Sequence, residues 1–251
     1  TNDTGGTVAF AGLTTYSVAR LSSQKLATPG TSAATTGGAV RIIPAAGGPV
    51  PTPLVVFTYQ PLGTVISEAG VPAMSGTTFR MYAESSGTDG QPGNIQTGIA
   101  VANNAAVAAN VTFELTNLDG STTGLPTAAT VSVPGSGHTG KFLAQIFPAG
   151  SVPNPFKGVL RISTTGSGIS LAGLRARYNE RASAEGFIIT TTPATLESAA
   201  PSTAEFLFPD LTNGGGYTTQ FILFSGSAGQ AASGNLRFVK PDGTSFSLTL
   251  N

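Results

Sequence analysis

The sequence predicts an all-β protein of two tandem antiparallel β-sandwiches, each of immunoglobulin-like size and related by internal duplication. Three observations carry this. Residues 99–120 are echoed by residues 222–243, short apolar runs recur between Gly- and Pro-rich turns, and helical periodicity is nearly absent.

The echo sets the period. IAVANNAAVAANVTFELTNLDG ends at Asp119-Gly120 and ILFSGSAGQAASGNLRFVKPDG at Asp242-Gly243, so the offset is 242 − 119 = 123. Without a gap, Ile99 falls on Ile222, Val101 on Phe224, Phe113 on Leu236 and Leu115 on Phe238. Each copy predicts two short strands joined by a small-residue loop, then an Asp-Gly turn whose glycine accepts a left-handed backbone. A period of 123 is far longer than the roughly 20–50 residues of a solenoid repeat, and so implies tandem domains. They divide near residue 123, as 1–123 and 124–251.

The elements follow in order. Thr7-Val-Ala-Phe10 matches Thr130-Val-Ser-Val133 at the same offset, and residues 16–21 lie opposite 139–144. Gly38-Ala-Val-Arg-Ile42 matches Gly158-Val-Leu-Arg-Ile162 at an offset of 120, a three-residue loop difference having entered. Pro53-Leu-Val-Val-Phe-Thr-Tyr59 answers Gly173-Leu-Arg-Ala-Arg-Tyr178, and Thr64-Val-Ile66 answers Gly186-Phe-Ile-Ile189. Phe79-Arg-Met-Tyr82 and Phe206-Leu-Phe208 complete the set. About seven or eight strands in roughly 120 residues is the density of a sandwich. In Val111-Thr-Phe-Glu-Leu115 the apolar side chains take one face and Thr112 and Glu114 the other. Residues 28–38 and 85–93 read as loops. Short helical turns are expected near 18–26 and 142–147, and no long helix anywhere.

The chain ends raise the question of strand exchange. Ser245-Phe-Ser-Leu-Thr-Leu250 follows Asp242-Gly243 as Thr130–Val133 follows Asp119-Gly120. It either finishes the second domain, the simpler reading, or begins a third repeat and completes a sheet in a neighbouring copy. Residues 1–12 are then left over and are the better candidate for a strand exchanged between domains or subunits. The candidate assembly strands are therefore Thr7, Val8, Ala9 and Phe10 at one end, and Phe246, Leu248 and Leu250 at the other. Unpaired edges invite such association.

Composition narrows the function classes. With 12 basic and 12 acidic side chains the formal charge is zero, which gives no electrostatic case for nucleic acid or an anionic membrane. Residues 1–123 hold four basic and six acidic side chains and residues 124–251 eight and six, so the halves carry −2 and +2, a weak bias toward head-to-tail contact. No run approaches the roughly 20 apolar residues of a membrane-spanning helix. Cysteine is absent, which removes disulfides and thiolate metal sites. A surface of Thr, Ser, Asn and Gly with few Lys and Glu fits an extracellular or cell-surface protein. Thr1 opens without a signal-peptide pattern, as in a mature form or an excised portion.

Catalytic groups are scarce. His138, in Pro134-Gly-Ser-Gly-His-Thr-Gly140, has no counterpart in the first repeat and no nucleophile elbow nearby, and is expected in an exposed loop. One His and no Cys exclude ordinary zinc coordination. Calcium is the one cofactor to weigh, through Asp3, Asp89, Asp119, Asp210 and Asp242 in Gly- and Asn-rich loops, yet turn chemistry alone explains Asp-Gly. Nothing places Glu68 with Glu84, or Glu180 with Glu185, across a cleft as a glycosidase pair. Arg175, Arg177 and Arg181 share the densest charged stretch. They are expected on a solvated sheet face, and are the candidate contact surface for another subunit or an anionic glycan. Gly214-Gly-Gly216 lacks a strand–loop–helix setting, so it predicts a bend rather than a phosphate-binding loop. Five Tyr and no Trp leave little material for an aromatic sugar platform.

Phe79-Arg-Met-Tyr-Ala-Glu84, Ile95-Gln-Thr-Gly-Ile-Ala-Val-Ala-Asn103, Gly158-Val-Leu-Arg-Ile162, Arg177-Tyr-Asn-Glu-Arg181 and Phe208-Pro-Asp-Leu-Thr-Asn-Gly-Gly-Gly-Tyr-Thr-Thr-Gln220 carry a resemblance. Over about residues 60–250 the chain resembles a tandem repeat region of large secreted and cell-surface proteins of environmental, acidobacteria-like bacteria. The resemblance implies an extracellular β-sandwich array with no established catalytic residues. The region before residue 60 joins it only through the internal repeat.

The expectation is an extracellular structural protein, not an enzyme. It would be the building block of a filament, fibre or layer, self-associating as a homopolymer by β-strand addition and needing no cofactor. The alternative is an adhesion or glycan-binding module of a larger secreted protein.

Overall fold

A computed structural model describes residue 4 and residues 15–125, 128–178, 186–198, 205–225 and 230–250. The protein is nearly all β. Its strands are β1 Leu54–Tyr59, β2 Ser67–Pro72, β3 Ser75–Gly76, β4 Thr78–Ser86, β5 Ile95–Asn103, β6 Ala109–Asn117, β7 Ala129–Val133, β8 His138–Phe142, β9 Phe156–Thr164, β10 Ile169–Tyr178, β11 Phe187–Thr191, β12 Ala194–Leu196, β13 Phe238–Val239 and β14 Ser245–Phe246. Every strand pair is antiparallel among the described residues. The chain forms two compact units, residues 1–198 and 199–251.

In the first unit, ten strands form one network in the order β11-β10-β5-β4-β9-β6-β7, with β12 on β4, β3 on β10 and β8 on β5. Two strand sets share it. β4 pairs with β9 over eight residues but meets β5 only through Ser85 and Ser86, so the network turns a corner there. On one side lie β12, β4, β9, β6 and β7; on the other lie β11, β10, β5 and β8. Phe79 and Met81 of β4, Phe113 of β6 and Leu160 and Ile162 of β9 join Ile99 and Val101 of β5 and Ile169 of β10 in one apolar cluster. That arrangement is sandwich-like. It follows from the period-2 pattern: Val111, Phe113 and Leu115 of β6 are buried while Asn110, Thr112 and Glu114 are not.

Strands on both sides of residue 123 alternate in this network, since β9 lies between β4 and β6 and β10 beside β5. Residue 123 therefore lies between β6 and β7 of a continuous sheet, and the compact units meet instead between residues 198 and 199.

Among the described residues helix is confined to one turn, α1 Leu143–Ile146, inside the expected 142–147 window, and a single 3-10 turn, Pro61–Gly63. The other expected helical turn is absent: residues 18–26 hold only a hydrogen-bonded turn at Arg20 and Leu21, closed by the Ser22 amide on the Ala19 carbonyl at 3.2 Å, with φ of 59° at Leu21. Without a partner to bury Val18 and Leu26, one isolated helical turn has no cooperative reason to form.

The same logic corrects three strand expectations. Residues 38–42, 206–208 and 222–224 are irregular rather than strands, for alternation alone does not supply the neighbouring ladder that a strand needs. Residues 7–10 lie outside the described residues. Ser245 and Phe246 form the return arm of a hairpin with β13, paired as Val239↔Ser245 and Phe238↔Phe246. Their counterpart at the offset of 123 is the bridge Thr116↔Thr122, not β7.

Candidate functional site

Three features bear on function: apolar segments left open beyond the sandwich-like body, an ion-pair lattice on its outer face, and a polar cleft at one end.

The open segments come first because their exposure is large. Before β3, Val40, Ile42, Ile43, Val50, Leu54, Val55, Val56 and Phe57 are all exposed, and among the described residues β1 pairs only with β2. β2 leans on β11, where the Ser67 hydroxyl accepts from the Ile189 amide at 2.7 Å, and Ala69 and Val71 are buried. Arg41 anchors the irregular stretch to the body, donating to the Asn103 carbonyl at 2.6 Å and the Asn104 carbonyl at 3.3 Å. In the second unit, Phe206, Leu207, Phe208, Tyr217, Leu223 and Leu236 are exposed. Phe208, Phe221, Phe238 and Phe246 form a file with successive ring centroids 6.2, 6.0 and 6.1 Å apart. Leu248 is half-buried and Leu250 exposed, both beyond β14.

The Asp-Gly turns are geometric copies. Asp119 Oδ1 accepts from the Ser121 amide at 2.9 Å and hydroxyl at 2.6 Å, and Asp242 Oδ1 accepts from the Thr244 amide at 2.9 Å and hydroxyl at 2.7 Å. Gly120 and Gly243 both sit at φ of 82°. The side-chain hydroxyl of Ser121, then its backbone amide, holds the Asp119 carboxyl below its ordinary value, and Thr244 does the same for Asp242. The calcium-weighed oxygens are thus engaged in turn chemistry at both sites. Among the described residues no cluster of three or more His, Asp or Glu is arranged to hold a metal.

The outer face of β4, β6, β9 and β12 carries alternating charge. Arg161 of β9 donates through Nη1 to Glu114 at 2.6 Å and through Nε to Glu197 at 2.8 Å, while Arg80 lies 3.7 Å from Glu197. Burial works against the Arg161 charge, but hydrogen bonds to Glu114 and Glu197 outweigh it and hold the guanidinium above its ordinary value. Glu84 pairs with Arg175 at 2.9 Å and lies 3.9 Å from Lys157. Burial and the Glu84 carboxylate, opposed by Arg175, raise the Tyr82 phenol, which stays neutral at physiological pH. Arg175 is therefore spent in an ion pair, Arg177 is half-buried on the same strand, and Arg181 lies outside the described residues.

The cleft has a volume of about 500 Å³ and is lined by Asp89, Asn94, Gln96, Gln145, Asn154 and Tyr178 among others. Much of its polarity is spent internally. Gln96 Nε2 donates to Asn94 Oδ1 at 2.9 Å and also to Asp89, and Asn154 exchanges hydrogen bonds with the Gly87 backbone at 3.0 and 2.8 Å. His138 opens β8 opposite Ala102 and is half-buried, not in an exposed loop, because the ladder on β5 claims it. Glu68 accepts from the Thr58 hydroxyl at 2.8 Å, so it and Glu84 serve separate contacts. Gly214 and Tyr217 bridge at 3.1 and 3.0 Å, and Gly214, Gly215 and Gly216 all have positive φ, so this run is a tight bend as expected.

Sequence reasoning missed Asn103. It is fully buried, and its Nδ2 donates toward the carbonyls of Val107, Val133 and Pro134 at 2.7, 3.1 and 3.1 Å while Oδ1 accepts from Ala105 at 2.9 Å. An Asn closing an apolar strand on the buried phase of its alternation was the available signal.

No protein-family model matches the chain, and neither does any curated protein. Among solved structures, the crystal structure of Thermotoga maritima 1070 is similar over 48% of this chain and 96% of its own, at 10% identity and a TM-score of 0.34. That likeness is too slight to bear on fold or activity.

Proposed function

We propose that this chain is an extracellular structural protein, the building block of a filament, fibre or layer whose copies join by β-strand addition. The observation that carries the reading is the exposure of strand-forming apolar segments at both ends of the chain, around residues 38–57 and 206–250. Contiguous exposed apolar surface of this kind marks an interaction site, and open backbone edges favour pairing. Duplication supports it as well. The two Asp-Gly turns coincide in hydrogen bonding at an offset of 123, in line with tandem sandwich repeats. The reading includes no enzyme activity, no cofactor and a cell-surface location, consistent with the repeat-region resemblance carried by the motifs above.

The test is the size of the intact protein by light scattering and electron microscopy, beside a variant lacking residues 1–12. Ordered polymers are expected, and their loss on truncation would assign the joint to the first strand. A monomer at every concentration would overturn the assembly reading.

A second reading, a glycan-binding module, is favoured by one observation: the cleft near Asp89 and Tyr178 is polar and of ligand size. A monomer that binds a glycan array and loses binding in Gln96→Ala would establish that reading instead.

A further inference from the structure

The walls of the cleft are tied together by the protein itself. The β4–β5 loop is held to the end of β10, where the Gly93 amide donates to the Tyr178 carbonyl at 3.1 Å and the Tyr178 amide to the Asn94 carbonyl at 3.0 Å. From the loop before β9, the Asn154 side chain clasps the Gly87 backbone at 3.0 and 2.8 Å. The opening of about 500 Å³ is therefore preformed, as small-molecule sites usually are.

Its amides are fixed in direction by their own hydrogen bonds. Asn94 is buried, and its Nδ2 donates to the Ser86 carbonyl at 2.8 Å, which leaves Oδ1 to accept from Gln96 Nε2 at 2.9 Å. Gln96 Nε2 gives its other proton to Asp89, so Gln96 keeps only Oε1, an acceptor, for a ligand. Gln145 is set the opposite way. Its Oε1 accepts from the Phe142 amide at 2.9 Å, and Nε2 keeps its donors. The exposed Asp89 carboxylate adds acceptor capacity and is the one charged side chain among the described lining residues. Phe142, Leu143, Pro148 and Val152 add apolar surface.

We propose that this cleft binds a neutral saccharide and selects against an anionic one. The inference rests on the glycan-binding reading above and names the class of ligand. Sugar hydroxyls donate and accept, and so satisfy Gln96 Oε1 and Asp89 with their protons and Gln145 Nε2 with their oxygens. The C–H face of the ring covers the apolar wall at Phe142 and Pro148. A uronate or sulfate sets its charge against Asp89 and the Gln96 oxygen, with no cation in the described lining to offset it. A bound ammonium meets the opposite misfit, the Gln145 donors and an apolar wall. Arg175, expected from the sequence to meet an anionic glycan, is paired with Glu84 at 2.9 Å instead.

The experiment is calorimetric titration of the full chain at low and high salt. Three probes are neutral (cellotriose, xylotriose and triacetylchitotriose) and one, trigalacturonate, is acidic. A neutral probe is expected to bind with an affinity that salt leaves within about twofold, since no ion pair forms. Gln145→Glu keeps the oxygen that caps the Phe142 amide but loses the donor. It is expected to weaken neutral binding about tenfold while the near-UV signal and melting profile stay unchanged. Asp89→Asn is expected to narrow the preference over trigalacturonate by about threefold or more, because the repelling charge is gone. Tighter binding of trigalacturonate that Gln96→Ala abolishes would overturn neutral selection while leaving the cleft reading standing. Neutral binding indifferent to both Gln96→Ala and Gln145→Glu would put the sugar elsewhere and overturn both. No binding by any of the four would overturn the proposal, and a blank glycan array beside it would overturn the glycan-binding reading as well.

Discussion

β6 and residues 232–240 have the same alternation and opposite fates. In β6, Phe113 is 1% exposed between ladders to β7 on one edge and β9 on the other. Its counterpart Leu236 is 44% exposed, and of the nine residues only Phe238 and Val239 form a strand, held by β14 alone. β9 and residues 38–42 differ in the same way: Leu160 is wholly buried, Val40 is not. Alternation makes a segment able to be a strand, but a ladder needs neighbours on its edges. Local sequence states a capacity; the adjacent strands realise it.

That contrast can be broken by mutation, and the largest effect belongs to the core. Phe113→Ala is expected to destabilise the first unit by about 3–4 kcal/mol, whereas Leu236→Ala in the isolated chain should fall within about 0.5 kcal/mol. Chemical denaturation of both variants at low protein concentration measures the gap. Equal effects would mean that Leu236 is already packed as Phe113 is.

Asn103→Ala comes next. It strips the partners from several buried carbonyls and the Ala105 amide, and should cost about 2–3 kcal/mol, read as a shift in denaturation midpoint.

Arg161→Ala is milder because Arg161 is 41% exposed and its partner Glu114 37%. About 1 kcal/mol is expected, less in high salt, with Arg41→Ala smaller still. A salt-independent loss would show that packing of the side-chain stem matters more than the ion pairs.

The smallest effect is on the two Asp-Gly turns, whose carboxyls are fully exposed. Their folded pKa values lie below the unfolded one, so the turns gain stability above the unfolded value and lose it as pH falls through the folded one. Amide exchange at Ser121 and Thr244 should therefore accelerate together below the ordinary carboxylate range, after separation from the intrinsic pH dependence. Asp119→Asn should remove the response at Ser121 only.

What was legible in the sequence follows the same division. The all-β class, the strand at residues 111–115, the turn at Asp119-Gly120 and the bend at Gly214-Gly-Gly216 depend on nearby residues, and alternation or glycine chemistry reveals them. The glycine of Gly158-Val-Leu-Arg-Ile162 belongs here too, since an added Cβ would strike the Thr116 carbonyl and the Phe156 ring. The ion-pair lattice was only half legible. Arg175 could be put on a polar face, but its pairing with Glu84 joins residues 91 apart through a shared sheet. Strand order was not legible at all: no local pattern says that β9 inserts between β4 and β6. The same gap explains why residues 206–208 and 222–224 read as strands, for their apolar spacing is real and yet they are irregular.

The pairing of β4 with β12 has a mechanical consequence. β4 begins at Thr78 and β12 ends at Leu196, and these ends are neighbours, with Phe79 opposite Leu196, Arg80 opposite Thr195 and Met81 opposite Ala194. Tension applied through residues 77 and 197 would load those three rungs one after another, like a zipper, rather than all at once. The three rungs to β12 would part under small force while β4 kept its longer ladder to β9, so release of the load would let β12 zip back onto an intact template.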